Sequence, residues 1–169
     1  MFKRVIAKVA AGAIVAVSAV GLSASVASAH VSIVTYGTTF TAGATNVIYF
    51  RVPHGCTGNP TSKVTIDIPA SVTGVKIEAR PGWTASRTVN GSGAVTQVVW
   101  TAQGGVGTAT LAGNILPDWQ FADFGIRATL NGSEGTVITF DHVMQYCDYD
   151  EAAAALGTPL VEDWTGGNA

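Results

Sequence analysis

The chain has 169 residues with nine Lys or Arg against eleven Asp or Glu, only 12% charged positions and two cysteines. Three of the basic residues, Lys3, Arg4 and Lys8, precede residue 30, so a chain starting there carries six basic against eleven acidic side chains, a formal −5. That balance excludes the strongly basic surface of a nucleic-acid binder. The remaining 140 or so residues suit one ordinary domain.

The first element is a targeting segment. Its basic start is followed by an apolar stretch over residues 9–22 and small residues at Ala27 and Ala29, the pattern of a signal peptide spanning residues 1–29. Cleavage after Ala29 exposes the amine of His30; Ser25 and Ala27 offer an alternative cleavage point. Beyond it no stretch approaches the roughly 18 apolar residues that cross a bilayer, so the mature chain is predicted to have no membrane span.

Short runs rich in Val, Ile, Thr and aromatics then alternate with Gly, Pro, Asn and Ser, which predicts an all-β fold. The reading is an immunoglobulin-like β-sandwich of roughly 7–9 strands with one disulfide. Strands are predicted at residues 30–35, 45–52, 63–68, 74–79, 83–89, 96–102, 107–116, 121–130 and 136–146. In the third, Val64, Ile66 and Ile68 face the core while Thr65 and Asp67 face outward.

Asn90-Gly91 and Asn131-Gly132 favour the paired positive φ angles of type I′ turns. Residues 150–156, with four consecutive alanines before Gly157, predict one short helix. The domain spans residues 30–164, and 165–169 form a disordered tail.

Export places the chain in an oxidising compartment, where Cys56 and Cys147 have reason to pair. Two thiolate metal ligands are the weaker alternative, because no CxxC spacing is present.

A free amine and the imidazole Nδ1 of one residue close a six-membered chelate around a metal ion, which makes His30 a bidentate ligand once the leader is removed. Copper(II) is the divalent ion such a nitrogen pair favours most, and it displaces the proton of an amine whose reference pKa is about 8. Further ligands must complete the sphere.

His54 is anchored close to Cys56 and is a candidate; in its other reading it is a loop histidine bonded to a carbonyl. His142 reads as a sheet residue. Among the carboxylates, Asp67, Glu78, Glu162 and Asp163 are either ligands or solvated strand and tail residues. Trp83 and Trp164 follow irregular segments and are candidates to cover a site, whereas Trp100 and Trp119 read as packing. A G-x-S-x-G elbow, H-E-x-x-H and a phosphate loop are all missing from the sequence.

Several segments together resemble the YcnI-like copper-binding domain family. They are Ala29-His30-Val31, then Phe50-Arg51-Val52-Pro53-His54-Gly55-Cys56, Pro60-Thr61-Ser62-Lys63-Val64, Pro81-Gly82-Trp83, Val98-Val99-Trp100, Leu116-Pro117 with Phe121 and Phe124, and Gln145-Tyr146-Cys147. The resemblance implies a secreted or cell-surface β-sandwich that binds Cu(II) through His30, a monohistidine brace, and serves copper delivery or sequestration. Its implied partners are the copper ion and a membrane copper transporter or chaperone.

In that family an acidic side chain and a tryptophan lie near the ion. Trp164 is the best match for the tryptophan and Trp83 the second, while the acidic ligand falls on no single residue here, leaving His54 or Asp67 to replace it. The expectation is a binding protein rather than an enzyme. Two alternatives stand beside it: a histidine-brace copper oxygenase acting on polysaccharide, and a metal-free interaction module.

Overall fold

Period-two alternation of apolar side chains builds the long strands, and the faces it creates close over one core. The structure, a computed structural model, describes residues 31–56, 58–103, 114–147 and 160–163. Nine strands lie among them: β1 (Ser32–Val34), β2 (Thr45–Val52), β3 (Thr61–Asp67), β4 (Val72–Ile77), β5 (Trp83–Val89), β6 (Val95–Ala102), β7 (Ala122–Leu130), β8 (Val143–Cys147) and β9 (Leu160–Asp163). They form two antiparallel sheets, β1-β2-β7-β4 and β5-β6-β3-β8-β9. This is the expected immunoglobulin-like β-sandwich.

The inner faces supply the core. Ile48, Phe50 and Val52 of β2 and Phe124 and Ile126 of β7 meet Val64 and Ile66 of β3 and Val98 and Trp100 of β6, all essentially inaccessible. Burying each such large apolar side chain contributes roughly 1.5–3 kcal/mol. The Phe124 ring packs edge-on against both Trp83 and Trp100, with centroids 5.2 and 5.4 Å away. Trp100 also satisfies its indole N–H by donating to the Glu78 carbonyl at 3.1 Å.

The disulfide Cys56–Cys147 joins the segment after β2 to the end of β8, across a sequence separation of 91 and with Cα atoms 5.8 Å apart. It ties one sheet to the other at one end of the sandwich.

The structure departs from the sequence reading at several places. The predicted strand 74–79 is displaced to Val72–Ile77, and its register with β7 breaks between Thr73 and Lys76, where Gly74 takes a φ of 64°. A positive φ at a bulge suits glycine, which has no Cβ to clash. The strand expected at 136–146 exists only from Val143 to Cys147, and β9 was not anticipated.

Neither Asn-Gly pair makes a two-residue type I′ turn. Asn90 closes a wider loop between β5 and β6, its Oδ1 accepting from the N–H groups of Ser92 and Ala94, both at 3.0 Å. Asn131 bonds instead to Ser71 and Thr73 in the connection before and start of β4. The type I′ turn falls at Tyr36-Gly37, with φ angles of 49° and 78° and a bond from Thr38 N–H to the Thr35 carbonyl at 2.9 Å.

Trp119, read as packing, is 80% exposed. The leader, His30, the 150–156 helix, Trp164, the 165–169 tail and most of the 107–116 strand lie outside the described residues.

Candidate functional site

The strand registers sort the predicted site residues between the two ends of the sandwich. At one end the chain enters: Ser32 lies opposite Arg51, so β1 begins where β2 is about to finish. From there Pro53, His54, Gly55 and Cys56 lead into the disulfide. Thr61 at the start of β3, Ala122 at the start of β7 and Trp83 at the start of β5 lie at this same end.

His54 is half-buried and held from two sides. Its Nδ1 is within hydrogen-bond reach of the Gly55 carbonyl, and its own carbonyl accepts from Gln145 Nε2 at 2.7 Å. Gln145 is buried, and the same amide nitrogen donates to Thr61 Oγ1 at 2.7 Å. A buried amide with both protein partners in place is a rigid strut, because leaving it unpaired would be costly. The imidazole Nε2 has no hydrogen-bond partner among the described residues.

The carboxylate closest to this loop is one the sequence reading passed over. Asp118 accepts from the Gly55 N–H through its carbonyl at 3.3 Å, and its Oδ1 lies 2.9 Å from where a Cβ on Gly55 would stand. Its only sequence signal was its place in Pro117-Asp118-Trp119, and an aspartate after proline reads as a turn residue.

Beside it a second cluster fixes the strand ends. Arg51 pairs with Asp123 through Nε at 2.7 Å and Nη2 at 2.9 Å. Tyr36 donates its hydroxyl to Asp123 and receives Nη2 of Arg51 at 2.9 Å. The guanidinium also lies 4.5 Å from the centre of the exposed Phe121 ring.

Electrostatically the cluster favours its charged form. The bond from Arg51 holds the Asp123 carboxyl below the ordinary range against a smaller opposing effect of burial, while Asp123 raises the Tyr36 phenol and the Arg51 guanidinium. Arg80, whose pKa burial lowers, donates to the Asp123 carbonyl at 3.1 Å and lies 4.9 Å from the Phe124 ring centre.

The other end holds a different set. Asp67 accepts from Gln97 Nε2 at 2.8 Å, and its N–H donates to the His142 carbonyl at 2.9 Å. His142 Nδ1 faces Asp163 at 3.8 Å. Asp67 is separated from Thr61 by the length of β3, roughly 20 Å, so the register carries it away from the end where Val31 enters. His142 goes with it, and so does Asp163, the residue before Trp164.

The structure thus brings His54, Trp83 and Asp118 to the entry end and gathers Asp67, His142 and Asp163 at the other. Trp83 is buried there as core. No group of three or more His, Cys, Asp or Glu side chains poised to hold a metal occurs among the described residues, and His30 and Trp164 lie outside them.

The fold is that of an immunoglobulin-like sandwich whose two sheets are joined by a disulfide. The sequence matches the family model described as a domain of unknown function, DUF1775, over residues 30–158. The chain belongs to that family. It is also similar to an uncharacterised protein from Nocardia farcinica whose crystal structure reveals an immunoglobulin-like fold, at 25% identity, with a TM-score of 0.58, covering 84% of this chain and 88% of that one. No curated protein matches the sequence.

Proposed function

We propose that the protein is an extracytoplasmic Cu(II)-binding protein that delivers or sequesters copper through an N-terminal His30. The observation that carries this reading is the start of the family match at His30, the residue that directly follows Ala27-Ser28-Ala29. The domain boundary and the expected cleavage point fall at the same peptide bond. Cleavage there supplies an α-amine one residue ahead of Val31, and amine plus imidazole is a nitrogen pair suited to Cu(II).

Further support comes from the chemistry of the entry end. Among the described residues His54 Nε2 offers an imidazole donor and the Asp118 carboxylate an oxygen donor at that end, both on backbone tied down by the disulfide, Gln145 and Gly55. A rigid surround lowers the ordering needed when an ion is bound. Copper is cargo in this reading, and a membrane copper transporter or chaperone is the exchange partner.

The test is Cu(II) competition titration with electron paramagnetic resonance on a chain that begins at His30, beside one extended by an N-terminal glycine. Tight axial binding that the extension abolishes is the expected result. Equal binding by the two chains refutes the reading.

A copper oxygenase acting on polysaccharide is a second reading with one observation in its favour, the exposed aromatic side chains Tyr36, Trp119 and Phe121 near the entry end. Ascorbate-driven peroxide release well above that of free copper would select it over simple binding.

A further inference from the structure

The segment leading into β8 carries a conflict between local sequence and observed pairing. Thr136-Val137-Ile138-Thr139-Phe140 is β-branched and aromatic, the composition of a strand. In the structure it alternates as a strand does: Val137, Thr139 and Asp141 are exposed while Ile138 and Phe140 turn inward. Phe140 packs edge-on against Phe50 at 4.9 Å. Yet residues 137–141 make no main-chain hydrogen bond to any described residue. Among the described residues this is an extended edge without a hydrogen-bonded neighbour, and such an edge is a template for another strand.

Beneath it lies a cavity of about 550 Å³, the size of a ligand site. Its apolar walls are Ile33 of β1, Phe40, Ile48 of β2, Leu130 of β7, Ile138 and Phe140. The opposite rim is held open by Asn46, whose amide bonds Thr41 and Ala44 at 2.9–3.0 Å and braces the turn between β1 and β2. Glu134 lines the cavity and the exposed Asp141 follows Phe140 at the end of the segment, and no Lys or Arg is among the described residues that line it.

We infer that the 136–141 edge is a β-augmentation site for an extended segment of another polypeptide, apolar at alternate positions and flanked by basic residues. In an added strand, every second side chain lies on the same face as its neighbours Ile138 and Phe140, and the cavity is on that face. The main chain of the incoming segment pairs the unbonded groups of residues 137–141. Its Lys or Arg ends meet Glu134 and Asp141. The inference is independent of copper binding.

The experiment uses amide hydrogen exchange on the chain from His30 with the synthetic peptide acetyl-Lys-Val-Thr-Ile-Thr-Val-Lys-amide. Free protein should exchange residues 137–141 at close to unfolded rates, and the peptide should slow them about tenfold or more. A composition-matched scramble without alternation, and a Glu-flanked analogue, should give little protection.

Two variants report on different features. Thr139→Pro removes one donor from the edge and should abolish protection, with the melting temperature confirming that it folds. Glu134→Lys with Asp141→Lys, both exposed, should reverse the preference toward the Glu-flanked peptide. Equal protection by alternating and scrambled peptides overturns the inference. So do amides already protected in the free protein with a concentration-dependent doubling of mass, which would assign the edge to a second copy.

Discussion

Asp123→Asn keeps the shape of the side chain that joins β7 to β2 and β1 but removes its charge. In the folded protein that carboxylate receives two bonds from Arg51, at 2.7 and 2.9 Å, and one from the Tyr36 hydroxyl. Hydrogen bonds to charged groups contribute about 1.5–3 kcal/mol, and because the Arg51 side chain is 30% exposed the lower figure, about 1.5 kcal/mol, is appropriate. For a domain of this size that loss lowers the melting temperature by about 5 °C.

The pH dependence distinguishes charge from packing. Arg51 holds the Asp123 pKa below its ordinary 3.8. A carboxyl with a depressed folded pKa stabilises fully above the unfolded value, and that contribution disappears as pH falls through the folded value. Wild type and Asp123→Asn should therefore differ by a constant amount between pH 5 and 8, begin to converge as pH falls below the ordinary 3.8, and meet only below the depressed folded value. Urea unfolding at pH 7, 5, 3 and 2 measures this directly. A difference that persists undiminished at pH 2, or one below about 0.5 kcal/mol at pH 7, refutes the assignment.

The other predictions concern the entry end. In Gly55→Ala the new Cβ stands 1.9 Å from the Asn59 carbonyl oxygen, itself bonded to Cys56 N–H, so the loop must shift at a cost of roughly 2–3 kcal/mol; Gly91→Ala, in open space, should be neutral or slightly stabilising, and equal Tm values for the two variants would contradict the packing described. Replacing Cys56 and Cys147 together by serine opens a closure of 91 residues and should cost roughly 4 kcal/mol by chain entropy. A loss under about 1 kcal/mol in denaturant titration would show that the bridge does little to restrain the unfolded chain.

Strands such as β2 and β6 were legible because one face is buried and period-two alternation records it, whereas β5, exposed beyond Trp83, was legible from β-branched residues bounded by turn signals. Residues 45–52 and 83–89 were predicted at the observed bounds, and Val64, Ile66 and Ile68 are buried as expected. The cysteine pairing followed from there being only two in a chain whose start reads as a secretion signal. What failed was information that lives between distant segments. Asn131 has the residues for a tight turn, yet its amide bonds Ser71 and Thr73, about 60 residues away. Arg51 and Asp123 are 72 residues apart, and nothing local to either announces the pair.

The candidate site shows the same division, since the residue types were readable while their distribution over the two ends was decided by register. Asp67 and His54 were both candidates in the sequence, Asp67 only if its strand register turned it toward His30. Only the pairing of β3 with β6 and β8 and of β1 with β2 puts one with Gln97 and His142 and the other beside the entering chain.

Among the described residues the segment 137–141 is a place where strand-forming residues and strand pairing disagree, and the surrounding restraints give that disagreement meaning. At the entry end the disulfide, Gln145 and the Arg51–Asp123 pair leave little freedom for His54 and Asp118 to reorganise, which suits holding an ion of fixed coordination. Along residues 137–141 no main-chain bond to a described residue holds the backbone, and Ile138 and Phe140 pack on the margin of the core beside a cavity. Evolution ordinarily suppresses an exposed edge by shortening it, charging it or covering it. Here the edge is long and β-branched, so its free hydrogen-bonding groups are a feature of recognition more than a defect of packing.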